Sequence, residues 1–423
     1  RLWPGGAGAS FLMTMITARA FRARLLKAVV VVALVFVAAF FITNSFARAV
    51  VKSNSAIAYA ISPYDGAIVS RYAEDAFALK PDADEESENA RLAEQAILAD
   101  PTRAEALTVL GFQAQLRGET EKAERIFAYA LSLTRRELRP HIWGIEDEVT
   151  RGNIEGALRH YDLALRTTKR ARPLLFPTLV AAMSEPRIRK ELLHLILKDP
   201  DWTADFFAYA ADSGIEPVGT SFLFSEAAAA GVEIGEGQRS NLVNRLYGRG
   251  ELEDAWRVYQ TLRPDAISTK SRDPEFALAT DARAVFDWRL GEDAGLSAVI
   301  LKNGDKGVLE FSTAPSVGGR LVSQAQLLSP GAYKFDGLVR DLQQSGRSQP
   351  YWVLSCKDGR ELLRIDVPNA QDRAVAFTGR FIVPSSCRAQ VLSLIARPSD
   401  DIMGVSGRIE RAEISPSNRN AQP

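Results

Sequence analysis

Three patterns of apolar and polar positions divide this chain. From Ala28 to Ala47 no charged residue occurs, and Ala28–Ile42 is continuously apolar; such a run is about long enough to cross a hydrocarbon core of roughly 30 Å. Over residues 54–262 apolar positions recur at helical spacing and predict a series of helices. One of them, Glu86–Leu98, is closed by Pro101, since proline cannot continue a helix. The helical period then fades through 263–283, and short alternating runs take over. VLEFS (308–312), GRLVSQAQLL (319–328), AYKFDGLVR (332–340) and YWVLSC (351–356) read as strands, as do ELLRIDV (361–367), VAFTGRFIV (375–383), QVLSLIA (390–396) and GRIERAEI (407–414). Phe286–Leu290 and Leu296–Leu301 are further strand candidates, and Pro330-Gly331, Asp358-Gly359, Pro384 and Pro398 mark turns.

The helical region repeats itself. Gly118, Ala123, Phe127 and Ala130 recur as Gly152, Ala157, Tyr161 and Ala164, each shifted by 34 residues. A period of that length describes stacked helical hairpins. Glycine stands where one helix turns into the next, because it has no Cβ to clash there. Ala123 and Ala157 let two helices approach, and Phe127 and Tyr161 fill the groove one turn on. Leu107, Leu110 and Gly111 supply the facing side of the preceding helix. Over residues 104–167 these features resemble the tetratricopeptide repeat, which implies a scaffold that binds protein partners.

A third occurrence, Gly250, Ala255 and Tyr259, falls 98 residues after Gly152, four short of three periods. Between them the helical pattern has irregular joints, as at Pro186–Lys198 and Pro200–Ala211. Asp199-Pro200 and Glu216-Pro217 place proline in the first turn of a helix, where its missing N–H does no harm. Residues 54–262 are therefore expected to form one α-solenoid with degenerate central repeats; the alternative is an unrelated helical bundle in the middle.

Many short strands without intervening helices predict a two-sheet sandwich over 284–415, joined to the helices by a linker at 263–283. A strand launched from the Pro-Gly turn of LSPGAYKF, a central strand at Trp352–Cys356 and a closing strand after a Gly-rich return resemble the jelly rolls of carbohydrate-binding modules and galactose-binding-like domains. That resemblance implies a glycan ligand. Strand phase sorts the side chains. Tyr333, Phe335, Gly337 and Val339 share one face of their strand, leaving Lys334 and Asp336 on the other. Trp352, Leu354 and Cys356 share a face directed to the core, which leaves Tyr351 as the exposed aromatic. The candidate glycan-binding set is thus Tyr351 with Lys334, Asp336 and Arg380, weighed against an ordinary sandwich surface.

Composition narrows the chemistry. The 423 residues carry 52 basic and 52 acidic side chains, so no overall field draws the chain to nucleic acid. His141, His160 and His194 all lie in the helical region, and none has metal-ligand spacing with another. GxSxG, HExxH and phosphate-loop motifs are missing from the sequence. No catalytic residue, metal or cofactor is assigned.

Arg19, Arg22, Arg24 and Lys27 precede the apolar run, against Arg48 and Lys52 after it. This bias leaves residues 1–27 cytoplasmic, takes 28–47 as a transmembrane anchor, and sends everything after residue 50 across the membrane. A signal peptide cleaved at Ala47-Arg48-Ala49 is the rival reading. In an oxidising compartment, Cys356 at the end of one strand and Cys387 just before another are expected to pair.

The expected protein is multidomain: a transmembrane helix, an all-α tetratricopeptide-like solenoid, an all-β jelly roll and a tail at 416–423. Its arrangement resembles envelope proteins from exopolysaccharide gene clusters of Gram-negative bacteria. The expectation is a non-enzymatic, single-pass inner-membrane scaffold with its bulk in the periplasm, acting in assembly or export of a surface polysaccharide. Envelope proteins would bind the helices and glycan the sandwich. An enzyme acting on envelope glycans, or a purely structural assembly protein, are the alternatives.

Overall fold

The computed structural model describes residues 8–278 and 282–417. The first seven residues of the expected cytoplasmic segment, and 418–423 of the expected tail, lie outside the described residues. The chain forms two compact units, Arg1–Ala171 and Arg172–Pro423.

The first unit is helical. Helix α1 (Gly8–Val50) contains a stretch, Lys27–Val50, long and apolar enough to cross a membrane. The side chains of that stretch stand open to the surroundings until the helix reaches its last turns. There Ala47 is buried with Ala58 and Ile68. Ser62 donates to the Asn44 side chain at 2.6 Å, and Arg48 pairs with Asp65 at 2.7 Å. The end of α1 is thus built into α2 (Ser55–Ile61) and α3 (Gly66–Leu79). Helix α4 (Glu88–Ala99) starts at Ser87, whose hydroxyl accepts from the Ala90 N–H and so satisfies an otherwise orphaned donor.

The repeat becomes geometry in the next four helices, α5 (Ala104–Leu116), α6 (Thr120–Leu133), α7 (Leu138–Thr150) and α8 (Ile154–Thr167). The 34-residue shift separates α5 from α7, and α6 from α8, at both ends of each helix. Gly118 and Gly152 turn the chain with φ of 78° and 71°, a left-handed conformation that costs glycine little. Ala123, Phe127, Ala130, Ala157, Tyr161 and Ala164 are all buried. Phe127 lies over Gly111, where an added Cβ would come within 2.5 Å of the ring. Across α7 and α8, His141 and His160 face each other with their Nδ1 atoms 3.3 Å apart.

The second unit begins with α9 (Arg172–Ala181), α10 (Pro186–Ile196), α11 (Thr203–Ser213), α12 (Pro217–Ala229), α13 (Glu236–Arg249) and α14 (Leu252–Leu262). Pro217 opens α12 as expected, behind an N-cap at Glu216. Pro200 does not open a helix. Asp199 adopts φ of 51°, Pro200 sits in a turn, and α11 starts only after Trp202. Gly250 turns α13 into α14 with φ of 86°, and Ala255 and Tyr259 are fully buried.

Ten strands follow: β1 (Arg289–Leu290), β2 (Leu296–Asn303), β3 (Lys306–Thr313), β4 (Gly319–Gln326), β5 (Gly331–Arg340), β6 (Tyr351–Cys356), β7 (Glu361–Asp366), β8 (Val375–Val383), β9 (Gln390–Ala396) and β10 (Val405–Pro416). They make two antiparallel five-stranded sheets, ordered β1-β4-β9-β6-β7 and β2-β3-β10-β5-β8. Apart from the hairpins β2-β3 and β6-β7, consecutive strands cross between the sheets, which is the jelly-roll pattern. Trp352 from the first sheet is fully buried against Phe335 of the second at 5.4 Å and against Trp288 at 5.8 Å.

The stretch expected to be a linker is tied to the sandwich instead. Phe276 is buried against Trp288, the Gly307 N–H donates to the Glu275 carbonyl at 2.8 Å, and the Ala412 N–H donates to that of Pro274 at 2.9 Å. These bonds satisfy N–H groups of β3 and β10, two inner strands of one sheet, so the bonded residues cannot leave it without exposing them. Residues 279–281 lie outside the described residues. The last helix pair also shares a core with the sandwich: Phe286 inserts among Tyr247, Trp256 and Tyr259. Beside it the Tyr259 hydroxyl donates to buried Asp287 at 2.7 Å. Cys356 and Cys387 form a disulfide. Their neighbours reach the helices: Lys357 donates to the Tyr247 carbonyl at 2.7 Å, and Arg388 pairs with Glu253 at 2.5 Å.

Candidate functional site

The outer face of the β2-β3-β10-β5-β8 sheet carries a concavity of about 400 Å³. Alternation along the strands builds it. Leu309 and Phe311 of β3 and Ile409 of β10 point to the core, so Glu310, Ser312, Ser406 and Arg408 point out. Antiparallel register then aligns Val299, Glu310, Arg408 and Arg340 in one rung, and Ser297, Ser312 and Ser406 in the next. Gly407 lies between them; a Cβ there would press on the Phe311 ring at 2.9 Å.

The charges in the concavity are organised by one guanidinium. Arg408 donates to Glu310 at 2.9 and 3.0 Å through two nitrogens and to Asp341 at 3.2 Å. The Glu310 hydrogen bond, with Asp341 adding to it, raises the Arg408 pKa further and keeps the side chain charged. Asp341 has φ of 56°, an uncommon conformation for a residue with a Cβ, and it turns the chain out of β5 at the rim. The hydroxyls of Ser297, Ser312 and Ser406 make no hydrogen bond to any described residue. Chemically, the concavity offers two carboxylates, a guanidinium, three unclaimed hydroxyls and the exposed methyls of Val299.

The sequence-predicted set does not form a single site. Lys334, Asp336 and Arg380 do share the outer face of this sheet, nearer its β8 edge. Lys334 lies opposite Arg380 in register and pairs with Asp336 at 2.7 Å. Burial works against the Asp336 charge, yet hydrogen bonds from Lys334 and Thr378 hold its carboxyl below the usual range. Tyr351 is on the other sheet. Strand phase placed it correctly opposite Trp352, but adjacent strands in sequence, β5 and β6, belong to opposite layers. Its ring is also occupied: Arg364 from β7 lies 4.4 Å from the ring centroid, and Arg397 beyond β9 lies 4.5 Å from it. These guanidiniums are held by Glu361 and Asp366, so two paired cations already lie against the tyrosine ring.

The residues of the concavity had weak signals in the sequence. GRIERAEI was legible as a strand, but the rung joining Glu310 to Arg408 spans 98 residues. No metal-holding group of histidine, cysteine and acidic residues occurs among the described residues.

No protein-family model matches the sequence, and no curated protein matches it. Similar solved structures include the CBM22-1 xylan-binding domain of Paenibacillus barcinonensis Xyn10C, at 13% identity over 34% of this chain and 94% of that one, with a TM-score of 0.24. TmCBM61 in complex with β-1,4-galactotriose matches at 14% identity over 31% of this chain and 88% of that one, with a TM-score of 0.24. An arabinose-bound α-L-arabinofuranosidase matches at 13% identity over 37% of this chain and 28% of that one, with a TM-score of 0.29.

Proposed function

We propose that this protein is a membrane-anchored glycan-binding adaptor of the bacterial envelope, without catalytic activity, serving the assembly or export of a surface polysaccharide. The observation that carries the reading is the concavity on the sandwich face. A sugar presents neighbouring hydroxyls that both donate and accept. The pair Glu310 and Asp341, bridged by Arg408 and flanked by three free hydroxyls, offers both acceptors and donors on one face. Both carboxylates already bear on the same guanidinium, an arrangement suited to holding a ligand rather than to exchanging protons with it.

The anchor reading draws support from the end of α1. Cleavage at Ala49 would remove buried Ala47 and the Arg48–Asp65 pair, leaving Ala58 and Ile68 uncovered. An uncleaved helix crossing the inner membrane, its N-terminus cytoplasmic, also suits a domain that carries a disulfide outside the cytoplasm. The 34-residue helical pairs supply the protein-binding half of the adaptor, in the manner of a tetratricopeptide array.

The test is titration of the full chain, in a detergent without a sugar headgroup, against β-1,4-linked xylo-, gluco- and galacto-oligosaccharides. Arg408→Ala should weaken binding at least roughly tenfold, the equivalent of about 1.4 kcal/mol. Binding that survives Arg408→Ala and Glu310→Gln together would remove the sheet face from consideration. Bond cleavage in the same mixtures would show an enzyme instead.

A further inference from the structure

A second cavity, of about 360 Å³, opens at one end of the sandwich and shares no residue with the first. The loop joining β4 to β5, the loop joining β8 to β9 and the first turns of α14 form its walls. Trp256 is its aromatic surface. The indole is held in place by an edge contact with Phe286 at 5.2 Å and a tilted one with Tyr259 at 5.4 Å. Leu252, Leu328 and Pro330 extend the apolar surface around it.

Several polar groups of this cleft are unclaimed. Trp256 Nε1 and the hydroxyls of Ser268, Ser329 and Ser385 make no hydrogen bond to any described residue. Glu253 and Arg388 form the one ion pair at the rim, and both side chains are more than half exposed. Such an exposed pair contributes little to stability, so either partner can turn to a ligand at small cost. Arg388 is also well placed to do so, because the adjacent Cys387 is fixed by its disulfide to Cys356.

We infer that this cleft is a saccharide subsite distinct from the sheet face, taking a single pyranose ring. A pyranose has an apolar C–H face and a polar edge. The Trp256 indole offers a flat partner to the first, while Glu253, Arg388 and the serine hydroxyls offer hydrogen bonds to the second. The cavity volume suits one ring with its substituents and lies within the size range of small-ligand pockets. This inference rests on the glycan reading above but assigns it a second place in the molecule, where helices and sandwich meet within the second unit.

The experiment is saturation-transfer NMR of the full chain with methyl β-glucoside, methyl β-galactoside and methyl α-mannoside, in the same sugar-free detergent. One of the three should bind in the millimolar range, as expected for one ring. Trp256→Phe keeps an aromatic ring against Phe286 but removes the N–H and part of the platform; Arg388→Ala removes the rim donor. Each should weaken binding at least roughly fivefold with an unchanged melting temperature. A glycoside signal lost with Arg408→Ala but kept with Trp256→Phe and Arg388→Ala belongs to the sheet face, and overturns the cleft while leaving the former reading intact. No binding of any of the three by the folded chain overturns the cleft as well. Loss of oligosaccharide binding in the earlier titration is a separate result, since it is read through Arg408.

Discussion

The paired helices α5–α8 and the sandwich are stabilised at very different distances along the chain. In the helices, Phe127 packs on Gly111, and Ala123 and Ala130 close the same hairpin. In the sandwich, Gly319 of β4 pairs with Ala396 of β9, and Glu310 of β3 with Arg408 of β10. A helical hairpin therefore answers mainly to its neighbours, whereas removing one strand from the sandwich unsettles both sheets. Damage should stay local in the first region and spread in the second.

The largest effect should come from the centre of the sandwich. Trp352→Ala removes a ring that touches both layers and should destabilise the second unit by roughly 3–5 kcal/mol. Denaturant unfolding followed by near-UV circular dichroism measures it; a loss below about 1 kcal/mol would mean that the layers do not depend on this contact. The disulfide comes next. It closes a separation of 31 residues, and replacing Cys356 and Cys387 by serine should cost about 3–4 kcal/mol in the chain-entropy account. The same variant should loosen Lys357 and Arg388 from α13 and α14, seen as faster hydrogen exchange at Tyr247–Glu253. Exchange that quickens uniformly through α5–α8 instead would contradict the proposed difference between regions.

A smaller and local effect is expected in the helices. Gly152→Ala forces a residue with a Cβ to hold φ of 71° and should cost about 1–2 kcal/mol. Hydrogen exchange should then rise in α7 and α8 and stay unchanged in the sandwich.

The first unit should also respond to pH, since two of its buried groups pull in opposite directions. Burial pushes the His141 pKa down to about 4, with His160 close by. A folded pKa below the unfolded one means that His141 favours folding when neutral. Its contribution is lost as pH falls from about 6.5 to about 4. Burial pushes the Glu137 carboxyl up to about 7, with Glu74 and Glu105 adding to it. It therefore opposes folding increasingly as pH rises from about 4.5 to about 7. Glu137→Gln should stabilise the helical unit at neutral pH and expose the histidine dependence as a falling stability below pH about 6.5. A pH profile of the variant that runs parallel to the unaltered protein would refute the Glu137 assignment, and a variant whose stability holds level below pH about 6.5 would refute that of His141.

Much of the architecture was readable because short-range physics dictates it. The bounds of β6, β8 and β9 follow from alternation and turn residues, since a strand must present one face to the core and stop at proline or glycine. The repeat at Gly118 and Gly152 was readable because each glycine answers a demand made within its own hairpin. The joints of α9–α12 were harder. Asp199 reaches its left-handed conformation without glycine, and Pro200 sits in a turn ahead of its helix, so neither residue signals the boundary by type.

By itself the sequence determined the apolar helix, the hairpin period, the strands with their inward and outward faces, and which cysteines stood at strand ends. The tertiary structure alone decided which faces meet. Period-two alternation says that Tyr351 opposes Trp352, but nothing local says that β6 joins β9 while β5 joins β8. That choice separated Tyr351 from Lys334, Asp336 and Arg380, and it brought Glu310 to Arg408 instead. It also drew 271–276 onto the sandwich and placed Phe286 among the rings of α13 and α14. Sheet order and layer assignment are set by the summed burial of both faces, a property of the whole fold that no short window of residues contains.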